Sequence, residues 1–175
     1  DDRASVVLLY QTMQELDRLK FNGEVYFVAT VQEEVGTRGA IMSTYKLNPD
    51  IGIAIDVTHA DTPDSSREDT FSIDKGPAIA IGPNLHPELT QRLMDIAKEN
   101  NIEFQIEVEP GPTGTDARSI QISRAGVPTV LLGLPLRYMH TTVECMSMNT
   151  IRKSAKLLAL FIASMEEGWE QWLNY

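Results

Sequence analysis

Residues Glu24 to Val31 (EVYFVATV) form an unbroken β-branched and aromatic run that Gln32-Glu33-Glu34 closes with two acids. Length and composition of that kind suit a buried strand. Thr37 to Tyr45 then reads as a helix, stopped by Lys46-Leu47-Asn48-Pro49. Ile51 to Val57 (IGIAIDV) follows as a second near-continuous apolar strand with Asp56 at its end. Strand, helix, strand in this order is the repeating unit of a parallel sheet.

Working outward, Ser5 to Lys20 carries Val6, Leu9, Tyr10, Met13, Leu16 and Leu19 at spacings of three and four, the pattern of one helix face, and Asn22-Gly23 stops it. Downstream of a polar loop from Thr58 to Asp74, Pro77–Ile81 is a short strand. Pro87–Asn100 is a helix with Leu89, Leu93, Ile96 and Ala97 inward, and Ile102–Val108 is a strand. Asp116–Ala125 reads as a helix, Thr129–Leu134 as a strand, and Thr150–Trp172 as a long closing helix whose Trp169 and Trp172 are expected to pack inside. The predicted fold is α/β: a mostly parallel central sheet with helices on both faces. Ligands in such sheets bind at the carboxyl ends of the strands, where Glu33, Glu34 and Asp56 fall.

With 175 residues the chain has room for one core. Hydrophobic residues at 42% and charged residues at 23% argue against a disordered, collagen-like or disulfide-scaffold chain. A formal net charge of −10 supplies no basic field, so neither nucleic acid nor an anionic membrane is expected as a partner. The longest apolar run, Leu157 to Ala163, falls far short of the roughly 20 residues that span a bilayer. A single cysteine, Cys145, allows no intrachain disulfide and points to a reducing, cytoplasmic setting. Asp1-Asp2-Arg3 leads straight into a helix with no Met, so the sequence is expected to be the C-terminal portion of a longer polypeptide.

Taken singly, the chemical candidates have plain readings. One of Glu33 and Glu34 can cap a helix, Asp56 can end a turn, and a lone His140 can pack. His86, at a helix start, reads as structural, and His59 as part of its loop. Nothing fits a zinc finger or a His-Glu-x-x-His pattern. Together they place carboxylates and one imidazole on loops at one sheet edge. Such donors suit zinc, cobalt or manganese, and a pair of ions needs a bridging carboxylate. A general base must stay unliganded to move the proton, and Glu33 and Glu34 can divide these roles. Gly111-Pro112-Thr113-Gly114-Thr115-Asp116 opens a helix, either offering backbone N–H groups to a substrate carbonyl or forming a plain turn with Thr115 or Asp116 as N-cap.

A resemblance sharpens this. Asp1-Asp2-Arg3, Val31-Gln32-Glu33-Glu34-Val35-Gly36-Thr37-Arg38-Gly39-Ala40, Ile55-Asp56-Val57, Gly114-Thr115-Asp116-Ala117, Gly126-Val127-Pro128-Thr129 and Arg137-Tyr138-Met139-His140-Thr141 resemble, in order, the signatures of the tetrahedral and glutamyl aminopeptidases. These are dinuclear metallo-exopeptidases, some of them labelled endoglucanase or cellulase. The resemblance implies that Asp1 bridges two divalent ions and is joined to Asp2 by a cis peptide. It implies that Glu33 is the general base, that Glu34 and His140 complete one metal site, and that Asp56 holds the other with an upstream histidine. Gly114, Thr115 and Asp116 are implied substrate contacts. The metals implied are zinc or cobalt, with manganese a third candidate. Peptides are the implied substrates, and homo-oligomers from dimer to dodecamer the implied assembly. Residues 1–175 would be the C-terminal portion of one metallopeptidase catalytic domain, without its upstream segment and inserted oligomerisation domain. Thr113 stands where the family usually has the first of two glycines, and Ala4 and Ser5 replace the usual small residues after the bridging Asp. A glycosidase built on Glu33 or Glu34 with Asp56 is the alternative enzyme, but it leaves Asp1 and His140 without a role. A peptide-binding remnant lacking the first histidine is the non-enzymatic alternative.

Overall fold

The computed structural model describes residues 1–66, 68, 70–165 and 168–173. Its backbone is organised around β4 (Thr129–Arg137), the Thr-Val-Leu-Leu-Gly-Leu-Pro-Leu-Arg run, in which every residue but the last is buried. A strand covered on both faces needs no polar alternation, which is why this one reads as continuous apolar sequence. β1 (Gly52–His59) lies parallel to it, from Gly52 opposite Thr129 to His59 opposite Leu136. On its other side β2 (Ala78–Ile81) runs antiparallel to β4 and parallel to β3 (Gln105–Val108). The order is β1-β4-β2-β3, and β5 (Cys145–Met146) folds back antiparallel on the end of β4. The sheet is mixed and mostly parallel, as predicted.

One face carries the main core. Val130, Leu132 and Leu134 of β4 and Ile79 of β2 pack against Leu8 of α1 (Arg3–Leu16), Leu89 and Leu93 of α3 (Pro87–Glu99), and Leu157, Leu158 and Phe161 of α5 (Met148–Ala163). Each such side chain stabilises the fold by about 1.5–3 kcal/mol when fully buried. The opposite face is a smaller cluster of Ala54, Ala80, Leu85 and Leu131 under Ala117 of α4 (Ala117–Gln121). α2 (Arg38–Leu47) packs beside α4.

On that smaller face Glu107 of β3 reaches across β2 to β4. Its Oε2 lies 2.9 Å from where a Cβ on Gly133 would stand, and its Oε1 accepts from the Thr58 hydroxyl of β1. Glycine at 133 makes room for the carboxyl. Burial pushes Glu107 above its ordinary value of 4.5, against the Thr58 hydrogen bond, and Glu109 pushes it further. An acid raised on folding binds extra protons in the folded state, so stability is full below about pH 4.5 and falls as pH rises through the raised value. Glu107→Gln removes that loss while keeping an acceptor for Thr58. The expected result is a Tm about 2–4 °C above wild type at pH 7 and close to wild type at pH 4, read by calorimetry at both.

β3 starts at Gln105 rather than Ile102 and β4 runs on to Arg137 past Leu134, and four other elements depart further from the sequence reading. The closing helix ends at Ala163 rather than Trp172; Gly168 sits at φ 91°, and Trp169–Leu173 forms a 3-10 turn. Glu166 and Glu167, inside the expected helix, lie outside the described residues. Trp172 is half-buried against the main core beneath the Arg92 guanidinium, 5.7 Å from the ring centroid, and Trp169 is half-buried. α4 stops at Gln121 instead of Ala125, with Arg124 and Gly126 both at positive φ. α1 buries Ser5, Leu8, Thr12 and Leu16 against α5 and leaves Val6, Tyr10 and Met13 of the expected inward stripe exposed. Finally, Glu24–Val31 is extended but belongs to no ladder among the described residues. A strand is defined by its neighbour, and this one has a cavity of about 750 Å³ between itself and β1.

Candidate metal centre

The acids and the imidazole gather at the carboxyl ends of β1 and β4, on loops with unusual backbone. Gln32, Thr37, Tyr138 and His140 all have positive φ, between 51° and 61°. For residues other than glycine this left-handed region costs free energy and concentrates at functional sites. The Asp1–Asp2 peptide is cis, as the resemblance implied. Asp2 is the N-cap of α1, accepting from Ser5 N–H at 2.9 Å.

Glu33 and Glu34 are fixed by the turn they begin. Glu33 C=O accepts from Gly36 N–H at 3.0 Å and Thr37 N–H at 2.9 Å, and Gly39 N–H donates to Val31 C=O at 2.9 Å. The Thr37 hydroxyl pairs with that of Ser119 and ties the turn to α4. Gly39 is required by close approach: a Cβ there would lie 2.4 Å from Val31 N and 2.6 Å from Val31 O, both backbone atoms that cannot rotate aside. Gly39→Ala is therefore expected to push α2 off this turn and to cost about 1–3 kcal/mol in urea denaturation.

His140 Nε2 lies 2.9 Å from Asp1 Oδ2 and 3.6 Å from Glu34 Oε1. One ligand atom from each of Asp1, Glu34 and His140 falls within 4.8 Å of the others. Glu144 joins two of these residues, its Oε2 pairing with the α-ammonium of Asp1 at 2.6 Å and its Oε1 accepting from His140 N–H at 3.2 Å. A second group of acids, half-buried or deeper, adjoins the first. Burial pushes Asp56 up to about 7, with Asp2, Glu33 and Asp116 adding to it against the Val57 N–H. Burial raises Glu33 as well, helped by Asp116 and Glu34 and opposed by His140. Burial raises Asp116, whose Oδ2 accepts from the Thr30 hydroxyl at 2.6 Å while its buried Oδ1 has no partner.

Among the described residues no Lys or Arg forms an ion pair with Glu33, Glu34, Asp56 or Asp116. Like charges desolvated together are costly without a cation. Two carboxylates and an imidazole converging at Asp1, Glu34 and His140, beside an orphaned carboxylate oxygen, have the donor chemistry of a divalent transition ion. The residues present fit a metal.

The structure does not bring every sequence candidate into that group. Asp56 stands with Asp2, Glu33 and Asp116 rather than with the Asp1, Glu34 and His140 donors. Thr115 Oγ1 shares a hydrogen bond with Thr113 Oγ1 at 2.9 Å and accepts from Ala117 N–H at 3.2 Å, and Gly114 borders open space. Asp116 is at the N-cap position of α4 but makes no capping bond, its side chain being turned to the acids. His86 caps α3, accepting from Leu89 N–H at 3.4 Å, which is the structural role expected of it. His59 lines a separate cavity of about 420 Å³ with Leu136, Tyr138 and Met139. Glu144 and Thr30 escaped the sequence reading. Only the return of β5 on β4 brings Glu144 back over Asp1, and the spacing of Glu144 from His140 was the one available signal.

The profile of the M42 glutamyl aminopeptidases matches residues 1–157, which carry all these donors. The chain belongs to the M42 glutamyl aminopeptidase family. This M42 chain is 37% identical over 166 residues to the lysyl aminopeptidase of Pyrococcus furiosus, a match covering 95% of the chain and 47% of that protein. Its fold superposes on the TET aminopeptidase of a marine-sediment Thaumarchaeota archaeon with a TM-score of 0.88 at 28% identity, covering 95% of this chain and 48% of that one. A Pyrococcus horikoshii peptidase that assembles into a tetrahedron or a large octahedral shell gives 0.77 at 32% identity, covering 94% and 48%. The M42 chain thus spans about half the length of the relatives it matches, and that half is their C-terminal part.

Proposed function

We propose that the chain carries the C-terminal part of the catalytic domain of a metal-dependent aminopeptidase, which removes residues from the free N-terminus of peptides. The observation that carries this reading is the convergence of Asp1, Glu34 and His140 beside half-buried acids with which no Lys or Arg among the described residues forms an ion pair. Asp1, Glu34 and His140 would hold one divalent ion, and Asp56, with Asp1 as the shared carboxylate, a second. Zinc or cobalt, with manganese third, would supply Lewis acidity toward the scissile carbonyl and lower the pKa of the attacking water.

Glu33 is the group left to move the proton. It accepts one from the attacking water on a carboxylate oxygen and passes it to the departing amine nitrogen. Its burial-raised pKa suits a group that must both take and give at neutral pH. Asp116, with Thr115 and Gly114, would border the substrate. A glycosidase using Glu33 or Glu34 with Asp56 fits less well, because it gives no work to the Asp1 and His140 side chains that meet at Glu34. Among the described residues no helix is long and apolar enough to cross a membrane. A cytoplasmic, homo-oligomeric enzyme acting on peptides is the reading in keeping with the single cysteine and the assembling relative.

The test is a panel of aminoacyl chromogenic substrates offered to the enzyme at its relatives' full length, before and after chelation and with zinc or cobalt restored. Hydrolysis lost on chelation and recovered on metal is the expected result, and the preferred residue is read from the same panel. Hydrolysis indifferent to chelator, or cleavage of glycosides alone, would end the proposal.

A further inference from the structure

Two helix starts in the crevice go without the cap that their residues ordinarily supply. Thr37 is at the N-cap of α2 and Asp116 at that of α4, residue types that cap by accepting from N–H groups of the first turn. Neither makes a capping bond. Their side chains cross between the two segments instead. The Thr37 hydroxyl pairs with that of Ser119 on α4, and Asp116 Oδ2 accepts from the Thr30 hydroxyl at 2.6 Å. A local preference given up twice side by side marks a place where another demand is met.

Thr30 and Thr37 bracket Glu33. The chain between them turns at Gln32, φ 59°, and enters α2 at Thr37, φ 51°. Both ends of this turn are therefore held by one short helix, and that helix is seated on the sheet. Ala117 is fully buried against Ala54 of β1, Ala80 of β2 and Leu131 of β4. Ile120 lies so close to β1 that a Cβ on Gly52 would stand 2.5 Å from its Cγ2. The strand that carries Asp56 thus also carries, through α4, the turn that carries Glu33.

Glu33 depends on this frame more than Glu34 does. The Glu34 carboxylate stands 3.6 Å from His140 Nε2, whereas the Glu33 carboxylate has no hydrogen bond among the described residues. Its aim is set by the backbone of the turn. The Thr37 and Ser119 hydroxyls are buried, at 8% and 7% residue exposure, where hydroxyls rely on protein partners rather than on bulk water.

We propose that Thr37 and Ser119 are positioning residues for Glu33: their hydroxyl pair locks the turn to α4 and fixes where the Glu33 carboxylate stands relative to the Asp1, Glu34 and His140 donors. The inference rests on Glu33 being the base of the proposed peptidase. A misplacement of about 1 Å at a reacting group costs on the order of a hundredfold in rate.

The experiment is steady-state kinetics of the metal-loaded enzyme at its relatives' full length, with thermal melts and metal stoichiometry on the same preparations. Thr37→Val and Ser119→Ala are each expected to lower kcat about ten- to a hundredfold, with KM within about twofold and metal content unchanged. Thr37→Ser keeps the hydroxyl and is expected to keep kcat within about threefold. Each hydroxyl-removing single variant strands the partner hydroxyl and lowers Tm, whereas the double variant Thr37→Val with Ser119→Ala leaves none unpaired and regains Tm. Its kcat is expected to stay low, because the tie is still absent. Added to Glu33→Gln, the double variant is expected to take nothing further from kcat, since the group it aims is gone. A kcat that returned with Tm in the double variant, metal lost along with activity, or an equal further loss on the Glu33→Gln background would overturn the inference. Glu33→Gln at wild-type kcat would remove the base and this inference with it. Glu33→Gln impaired, with the double variant at wild-type kcat, would remove the positioning role alone.

Discussion

Glu33→Gln is expected to lower kcat for peptide hydrolysis about a hundred- to ten-thousand-fold and to leave metal content unchanged. Glu33 stands outside the Asp1, Glu34 and His140 donors, and it is coupled to them only through charge. Glutamine keeps the size of the side chain and its hydrogen-bonding reach but cannot take a proton from water. The neighbouring Glu34→Gln is the informative contrast, because its carboxylate is one of the two that meet at His140. It is expected to lose metal and activity together. Steady-state kinetics and metal stoichiometry measured on the same preparations of the full-length enzyme separate the two. Retained activity in Glu33→Gln would remove it as the base, and loss of its metal would make it a ligand instead.

The sheet and the crevice were legible because their signals are local. Continuous apolar runs such as Ile51–Val57 and Thr129–Leu134 mark strands covered on both faces, and the acids that end them mark where strands leave the sheet. What escaped was whatever depends on a partner. Glu24–Val31 has the composition of a buried strand, yet composition does not supply the neighbour that makes a ladder, and here the adjoining space is open. The α1 stripe of Val6, Tyr10 and Met13 has helical spacing, but α5 chose the face bearing Ser5, Leu8 and Thr12, where small and polar residues allow close approach. Thr12 can sit there at no loss because its hydroxyl donates to Leu8 C=O at 2.9 Å. Both departures border the cavity beside β1, which Val6 of α1 and Val25 and Val28 of the Glu24–Val31 segment line. Of the site itself, the ligand types were legible and the support was not. Glu144 became visible only once β5 had brought it back to Asp1 and His140.

His140→Ala is expected to weaken cobalt or zinc binding about a hundredfold or more, because it removes the only nitrogen donor of the converging set. The ring is not held by packing, since the residue is exposed; it is aimed by its backbone. Tyr138 and His140 both sit at φ 61°, and Glu144 accepts the His140 N–H while its other oxygen pairs with the α-ammonium of Asp1. One carboxylate thus sets the spacing of two ligands through their main chains. Glu144→Gln keeps one acceptor oxygen and replaces the other with an amide, so one of the two ligands is released. It is expected to weaken binding about ten- to a hundredfold, the range typical of groups that orient ligands. Cobalt absorption titrated against a competing chelator reads both variants on one scale. His86→Ala is the control that separates ligation from folding: it loses the α3 cap, lowers stability by about 1 kcal/mol and leaves the cobalt titration where it was. If His86→Ala weakened cobalt as much as His140→Ala did, the effect would belong to folding, and the centre would have to be sought elsewhere among the acids around Asp56.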